Sequence, residues 1–241
     1  MKSICIDGRE FRRLVRLLGF ARHSKMEEAR YRNVLMRSTT SGHLEMIMTN
    51  GCALTWAKVP VASRGGEEFS MIVPYLDIIR ACKAFAVLAK DGQLEITSVK
   101  KHAIFTWPMM RVKIEQSSDS FPKFEKMIGQ CNFSRTCRVD SAAFNAACTI
   151  LHPIKNEPRV QISFDPTKTG LWLSIPKLIN ILLPFTLPAG GDAMEIGGSR
   201  THLCRAASVT RRDKEIQFCF SDSLLRMEVA GAALFTSHVK E

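Results

Sequence analysis

Arg9, Arg12, Arg13 and Arg16 stand at i, i+3, i+4 and i+7. That spacing gathers four side chains on one stripe of an α-helix. A row of guanidinium groups binds phosphates and other oxyanions through charge-assisted hydrogen bonds, and makes or breaks no covalent bond by itself. Phe11, Leu14, Val15 and Leu18 repeat the spacing on the opposite side, so one face packs and the other presents charge. A second segment sets Arg80 and Lys83 one turn apart with Lys90 seven further on, against an apolar side of Leu76, Ile79 and Phe85. A third sets Arg205 and Arg212 seven apart with Arg211 beside them. Residues 140–151 read as another helix of the same kind but contain no Lys or Arg. A basic stripe on one helix is ordinarily a solvated face, and its recurrence on three of four is what points to a ligand. No aromatic residues interleave with these cations, so stacking on single-stranded bases is disfavoured. Duplex phosphates, contacted without base readout, fit better.

Catalytic signatures are missing. The six histidines, His23, His43, His102, His152, His202 and His238, are scattered with no local base–nucleophile pattern. The sequence holds no Walker loop, no H-E-x-x-H and no G-x-S-x-G. Gly190-Gly191 and Gly197-Gly198 punctuate turns and lack a phosphate-loop lysine. The eight cysteines form no C-x-x-C and no zinc-ligand spacing with histidine. They read as reduced, mostly buried small hydrophobes of a cytoplasmic protein. The expectation is a protein that is not an enzyme and holds no cofactor or metal.

The chain has 241 residues, 46% hydrophobic and 24% charged, which excludes global disorder. Its formal charge is +11, from 34 Lys+Arg against 23 Asp+Glu. Such an excess suits a polyanionic partner, nucleic acid first and a membrane surface second, although charge also serves solubility alone. No apolar run approaches the roughly 20 residues of a membrane span, and no signal peptide is visible.

The elements that must carry the basic stripes follow a fourfold pattern of strand, helix and three strands. Strands are expected over 3–6, 33–38, 43–49 and 52–61, with a helix from Asp7, a natural N-cap, to about 22. The unit recurs as strand 70–73, helix 75–89, and strands 93–99, 103–107 and 111–115. A third copy has strand 132–139, a helix capped by Asp140-Ser141, and strands 160–164, 170–175 and 178–186. The fourth has strand 193–197, helix 199–211, and strands 215–220, 224–229 and 233–238. Hairpin signals such as Ser41-Gly42 and Asn50-Gly51 join the strands, so the class is α+β with antiparallel sheets. Residues 116–129 break the rhythm. The resulting division is 1–120, a connector at 121–130, and 131–241.

Within this frame several strings resemble the bacterial DNA polymerase III β subunit, the sliding-clamp family. Thr49-Asn50-Gly51-Cys52-Ala53-Leu54 is similar to the family's T-D-G-H-R-L turn, and Met71-Ile72-Val73-Pro74 to the I-V-P that opens a helix there. Phe105-Thr106, then Phe121-Pro122-Lys123-Phe124-Glu125-Lys126-Met127-Ile128, resembles the F-T and F-P-D-[FY] connector. Met194-Glu195-Ile196-Gly197 and Ser221-Asp222-Ser223 resemble landmarks of the last domain. The resemblance covers nearly the whole chain and maps to the family's middle and C-terminal domains. It has no counterpart of the first.

The resemblance implies a DNA-clamp fold with helices on one side of the sheets. It also implies a ring whose helices face duplex DNA, tethering a DNA polymerase or repair enzyme, with a clamp loader as a further partner. Two domains per chain would need a homo-oligomer, a trimer if a ring closes. The DNA-facing cations would be Arg9, Arg12, Arg13, Arg16, Arg80, Lys83, Lys90, Arg205, Arg211 and Arg212. Client peptides would dock on Thr49, Gly51, Cys52, Ala53, Leu54, Pro74 and Ile78, with Pro60 nearby. Cys52 and Ala53 replace a His-Arg pair, and Ser237-His238-Val239-Lys240-Glu241 replaces the family's M-P-M-R-L, so the peptide preference should differ. Residues 49–54 also read simply as a tight β-turn that needs Gly51. The competing function is a non-ring adaptor or regulator of the same fold that binds DNA or interferes with a replication clamp. Arg30, Arg32 and Arg37 would then add an outer DNA contact or repel neighbouring subunits.

Overall fold

The computed structural model describes residues 2–22, 29–64, 68–88, 92–154, 156–168 and 170–238. Two compact units, Met1–Pro122 and Lys123–Glu241, divide the chain.

The first unit interleaves two copies of one motif. The first copy is β1 (Lys2–Asp7), α1 (Gly8–Leu18), β2 (Asn33–Thr39), β3 (His43–Thr49) and β4 (Ala53–Pro60), with the short β5 (Ala62–Arg64) after it. The second is β6 (Ser70–Pro74), α2 (Tyr75–Leu88), β7 (Gln93–Val99), β8 (His102–Trp107) and β9 (Met110–Glu115). Each copy lends its opening strand to the other. Strand β1 pairs antiparallel with β7, Ile4 opposite Ile96, and β6 pairs with β2, Val73 opposite Val34. Two sheets result, in the orders β5-β1-β7-β8-β9 and β4-β3-β2-β6. The turns between β2, β3 and β4 use Gly42 and Gly51 at φ 71° and 88°, which a side chain adopts only with strain.

The second unit repeats this plan. A short helix α3 (Glu125–Gly129) precedes β10 (Arg135–Asp140), α4 (Ser141–Leu151), β11 (Arg159–Phe164), β12 (Gly170–Ile175) and β13 (Ile179–Gly190). Then come β14 (Met194–Ser199), α5 (Arg200–Thr210), β15 (Glu215–Phe220), β16 (Leu224–Val229) and β17 (Ala232–Ser237). The order is β14-β11-β12-β13-β10-β15-β16-β17. Strand β13 pairs with β12 through Ile179–Pro184, then with β10 through Phe185 to Gly190 with shifts of register. The same path in the first unit breaks between β4 and β5 just past Pro60, which cannot donate to a ladder. Gly170 keeps β12 close to β13, because a Cβ there would run into the Leu183 carbonyl.

All four long helices bury the same register. Counting from each first residue, positions four, seven, eight and eleven point inward. They are Phe11, Leu14, Val15 and Leu18 in α1, Ile78, Ala81, Cys82 and Phe85 in α2. In α4 they are Phe144, Ala147, Cys148 and Leu151, and in α5 Leu203, Ala206, Ala207 and Thr210. Cys82 is half-buried and the other fifteen are buried. Three helix entries share one tie. The first helical N–H donates to the carbonyl just ahead of a strand in the other copy: Gly8 to Gly92 at 2.9 Å, Ser141 to Lys214 at 3.1 Å, Arg200 to Pro158 at 2.9 Å. Asp7, Asp140 and Ser199 cap the same helices through their side chains. Aromatic clusters fill the cores: Phe11 lies 5.8 Å from Phe105, Phe85 stacks on Trp107 at 4.3 Å, and Phe144 meets Phe218 edge-on at 5.3 Å.

Some sequence expectations are corrected. The apolar face of α2 is Tyr75, Ile78, Ala81 and Phe85; Leu76 is 40% exposed and Ile79 only half-buried, on the same side as Arg80. The expected α1 ends at Leu18 and tightens into a 3-10 turn over Gly19–Ala21. The connector contains the one-turn α3, and β5 was not anticipated. Four cysteines are buried (Cys5, Cys137, Cys148, Cys219), Cys82, Cys131 and Cys204 are half-buried, Cys52 is exposed, and none is in a disulfide. Among the described residues no helix is long and apolar enough to cross a membrane.

Candidate nucleic-acid interface

The outward stripe of each helix is the complement of its buried register, positions two, five, six and nine. In α1 these are Arg9, Arg12, Arg13 and Arg16; in α2, Leu76, Ile79, Arg80 and Lys83. In α4 they are Ala142, Asn145, Ala146 and Thr149; in α5, Thr201, Cys204, Arg205 and Ser208. Four equivalent faces thus carry four, two, no and one cation.

Several of these cations are engaged with neighbours. Arg13 Nε lies 3.0 Å from Glu10 Oε2, and Arg80 is 2.8 Å from Asp77, both pairs one turn apart. The Arg12 guanidinium sits 5.5 Å from the Phe85 ring centroid, a cation–π contact that bridges α1 and α2. Arg9 and Lys83 are exposed, and Arg12, Arg13 and Arg16 are half-buried. Exposed i,i+3 pairs such as Arg80–Asp77 are worth only a few tenths of a kcal/mol. Arg211 is the C-cap residue of α5, and Arg211 and Arg212 are both exposed past the helix. Lys90 lies outside the described residues, as do His23 and residues 239–241.

The structure adds one arginine that sequence reasoning missed. Arg200 Nη1 donates to the His152 carbonyl at 2.7 Å and reaches the Leu151 carbonyl at 3.5 Å, while its Nε donates to the Glu157 carbonyl at 3.0 Å. Its charge therefore sits at the C-terminal end of α4, where carbonyls lack intrahelical donors and the helix dipole is negative. Its partners lie 43 to 49 residues away, a distance no local pattern spans.

The charges on β2 have a different use. Arg37 pairs with the buried Glu45 across the β2–β3 ladder and lies 5.7 Å from the Trp56 ring, and Lys58 reaches Glu45 from β4 at 3.8 Å. This ladder neutralises a buried carboxylate, so Arg37 serves the sheet.

Residues 49–54 form a bonded turn. Thr49 Oγ1 donates to the Ala53 carbonyl at 2.9 Å and accepts from Gly51 N at 3.1 Å; Asn50 Oδ1 accepts from Cys52 N and Ala53 N. Thr49, Ala53 and Leu54 are buried, as is Ile78, whereas Gly51 and Cys52 are exposed and Pro74 half-buried. The register brings this turn and Pro74 to one end of the sheet: Asn33 pairs with Pro74, and Leu35 with Ile47 two residues before Thr49. Buried Asn33 joins them to the chain beyond β9 by donating to Ser117 Oγ and Asp119 Oδ2.

His202 and Tyr75 at the helices are tied into the fold. His202 hydrogen-bonds Thr236 at 2.7 Å, and burial, then the Arg205 charge, push its pKa down to about 4. Tyr75 donates to the Val15 carbonyl at 3.4 Å and burial raises it to about 12. No cluster of three or more potential metal ligands exists among the described residues.

No protein-family model matches the sequence, and no curated protein matches it. Solved structures do. The DNA polymerase sliding clamp of Bacillus subtilis superposes with a TM-score of 0.86 at 14% identity, over 99% of this chain and 64% of that one. The clamp of Pseudomonas aeruginosa gives 0.81 at 16%, over 100% and 67%, and the DNA polymerase III β chain of Streptococcus pneumoniae 0.83 at 11%, over 100% and 65%. The chain thus has the fold of bacterial sliding clamps and spans about two thirds of their length.

Proposed function

We propose that this protein is a sliding-clamp-like processivity factor. It encircles duplex DNA without sequence specificity and tethers a polymerase or repair partner. The observation that carries the reading is the fourfold strand–helix–three-strand plan, superposing throughout on bacterial clamps, with cations on the outward stripes of α1, α2 and α5. The domains would be 1–120 and 131–241, and a head-to-tail trimer would supply the six domains of a ring. Arg9, Arg12, Arg13, Arg16, Arg80, Lys83, Lys90, Arg205, Arg211 and Arg212 would touch phosphates directly or through water. Such contacts are weak and salt-sensitive. The turn at Thr49, Gly51, Cys52, Ala53 and Leu54, with Pro74 and Ile78, would seat a client peptide, and tethering would raise the client's local concentration. No bond is made or broken.

The test has two arms. Light scattering across a concentration series at physiological salt should give a trimer. The variant with Arg9, Arg13, Arg80 and Arg205 all changed to Glu should keep that mass and lose retention on circular DNA. Retention that survives the four changes overturns the placement of DNA along the helices. A persistent monomer favours the second reading, an adaptor or clamp regulator that does not form a ring. Its support is a net charge of +11.

A further inference from the structure

Each long helix has a flank between its buried register and its outward stripe, marked by position ten. Leu17 of α1 and Val209 of α5 are buried there. The matching Ala84 of α2 and Ile150 of α4 are exposed, Ile150 to 49%. Each exposed flank lies beside a strand with an open edge. Helix α2 packs on β9, which among the described residues pairs with β8 alone. Helix α4 packs on β13, whose first half, Ile179–Pro184, likewise pairs with β12 alone. Half of the N–H and C=O groups of such a strand point away from its partner and can accept another strand. Gln116 N donates to the Lys101 carbonyl at 2.8 Å, so by alternation Arg111, Lys113 and Glu115 turn theirs to the open side of β9. The open runs match in length, six residues in Met110–Glu115 and six in Ile179–Pro184. Four of the six exposed large apolar side chains among the described residues gather at these two sides. They are Met109 before β9, Leu178 before β13, Leu182 on β13 and Ile150 beside it. The outer strands β4 and β17, by contrast, keep Leu54, Val59, Leu234 and Phe235 buried.

The two sides are unlike, and they fit each other. Between α2 and β9 runs a groove of about 440 Å³ whose apolar lining is Ala81, Ala84, Val112 and Ile114. The small Ala84 leaves that side hollow at position ten, and the other side carries the bulk of Ile150 at the same position. Helix α4 and residues 179–184 contain no charged residue, so Arg111 and Lys113, exposed on β9, would meet no like charge there. We propose that these sides are the two halves of a head-to-tail joint between copies of this chain. Ile150 of one copy enters the α2–β9 groove of the next over Ala84, and β13 extends the sheet that ends in β9. Strand addition supplies main-chain hydrogen bonds, and the helix flanks supply the apolar contact. Unlike halves on every copy close into a ring when the rotation permits. The inference rests on the clamp reading above for the closed trimer, and it names the surfaces that hold that trimer together. It also gives the uncharged α4 a use.

The experiment reads assembly by light scattering across a concentration series. Ile150→Glu should leave the circular dichroism spectrum unchanged, because the side chain is exposed, and raise the concentration of half-assembly at least about tenfold. Ala84→Arg should do the same. The two changes together should restore assembly by setting opposite charges across the joint. The chain carrying Lys113→Cys and Asn180→Cys, treated with a short bismaleimide, should form covalent dimers and trimers with a 113–180 link located by peptide mass spectrometry. Lys113→Cys alone should give no 113–113 link, which a two-fold joint would produce. A trimer that withstands Ile150→Glu and Ala84→Arg and yields no 113–180 link overturns the joint while the clamp reading stands. A persistent monomer of the unchanged chain overturns the joint as well. A 113–180 link in an assembly that is not retained on circular DNA upholds the joint and overturns the clamp reading.

Discussion

The two units share a strand order and a helix register, yet they build different helix pairs. In the first, position seven of α1 is Leu14 and position eight Val15, with Ala81 and Cys82 at the same positions of α2, and the helices meet through the Arg12–Phe85 contact and around Gly8. In the second, the same positions are Ala147, Cys148, Ala206 and Ala207, so α4 and α5 pack along their length. Small side chains let backbones approach, and large ones hold them apart. The outward stripes differ as much: six cations on α1 and α2, one on α4 and α5. Gly8 and Ser141 condense the contrast. A Cβ at Gly8 would meet the Phe85 ring and the Gly92 carbonyl at 2.9 Å, whereas Ser141 at the matching position donates its hydroxyl to the Thr210 carbonyl at 2.9 Å. The buried register is therefore what the fold demands, and the spacing and charge of each helix pair vary freely around it.

The sharpest way to break this comparison is at position four of the register. Phe11→Ala and Phe144→Ala each empty a fully buried ring site and should each cost about 3–5 kcal/mol in urea unfolding. Hydrogen exchange should place each loss within its own unit. A cost below about 1 kcal/mol at either site would mean that the two registers are not equivalent.

A smaller effect sharpens the packing contrast. Ala206→Leu gives α5 the bulk that α1 carries at Leu14. It should destabilise the second unit by about 1–3 kcal/mol through overpacking. Thermal unfolding unchanged by Ala206→Leu would show that α4 and α5 already have slack.

The smallest effect is confined to the second unit. His202 is depressed from 6.5 to about 4, and His238 is depressed too, both mainly by burial. The unfolded chain then binds more protons than the native one across that window, so stability falls as pH drops from about 6.5 toward 4. His202→Gln should flatten the pH dependence of the urea unfolding free energy between pH 7 and pH 5 by about 1 kcal/mol, with His238 retaining part of the slope. A midpoint that falls equally in the variant would assign the dependence elsewhere.

Much of the fold is legible in the linear pattern. Period-two alternation marks β7, β12, β15 and β16 with the bounds they adopt, because each has one face on a core and turn residues at its ends. The helix starts at Gly8 and Ser141 follow from Asp7 and Asp140, whose side chains satisfy N–H groups that a helix leaves unpaired. The basic stripe of α1 is equally visible, since i, i+3, i+4, i+7 spacing fixes a face without reference to anything else. The α2 face was misjudged because Leu76, Ile78, Ile79 and Ala81 are all apolar, and a helix that is greasy on two sides does not declare which is inside. Its burial was decided by β6 and β9, against which it packs.

The sequence by itself therefore determined the repeat, the caps, the hairpins and the one fully basic helix face, all properties of neighbours within a few residues. Only the tertiary structure decided the rest. It showed that β1 completes the sheet of β7 and that β6 completes that of β2. It showed Arg200 closing the end of α4, Arg37 neutralising Glu45, and Cys148 lying behind Cys204 from another helix. These are pairings across 8 to 96 residues. They depend on which elements meet in space, and a period along the chain carries no record of that.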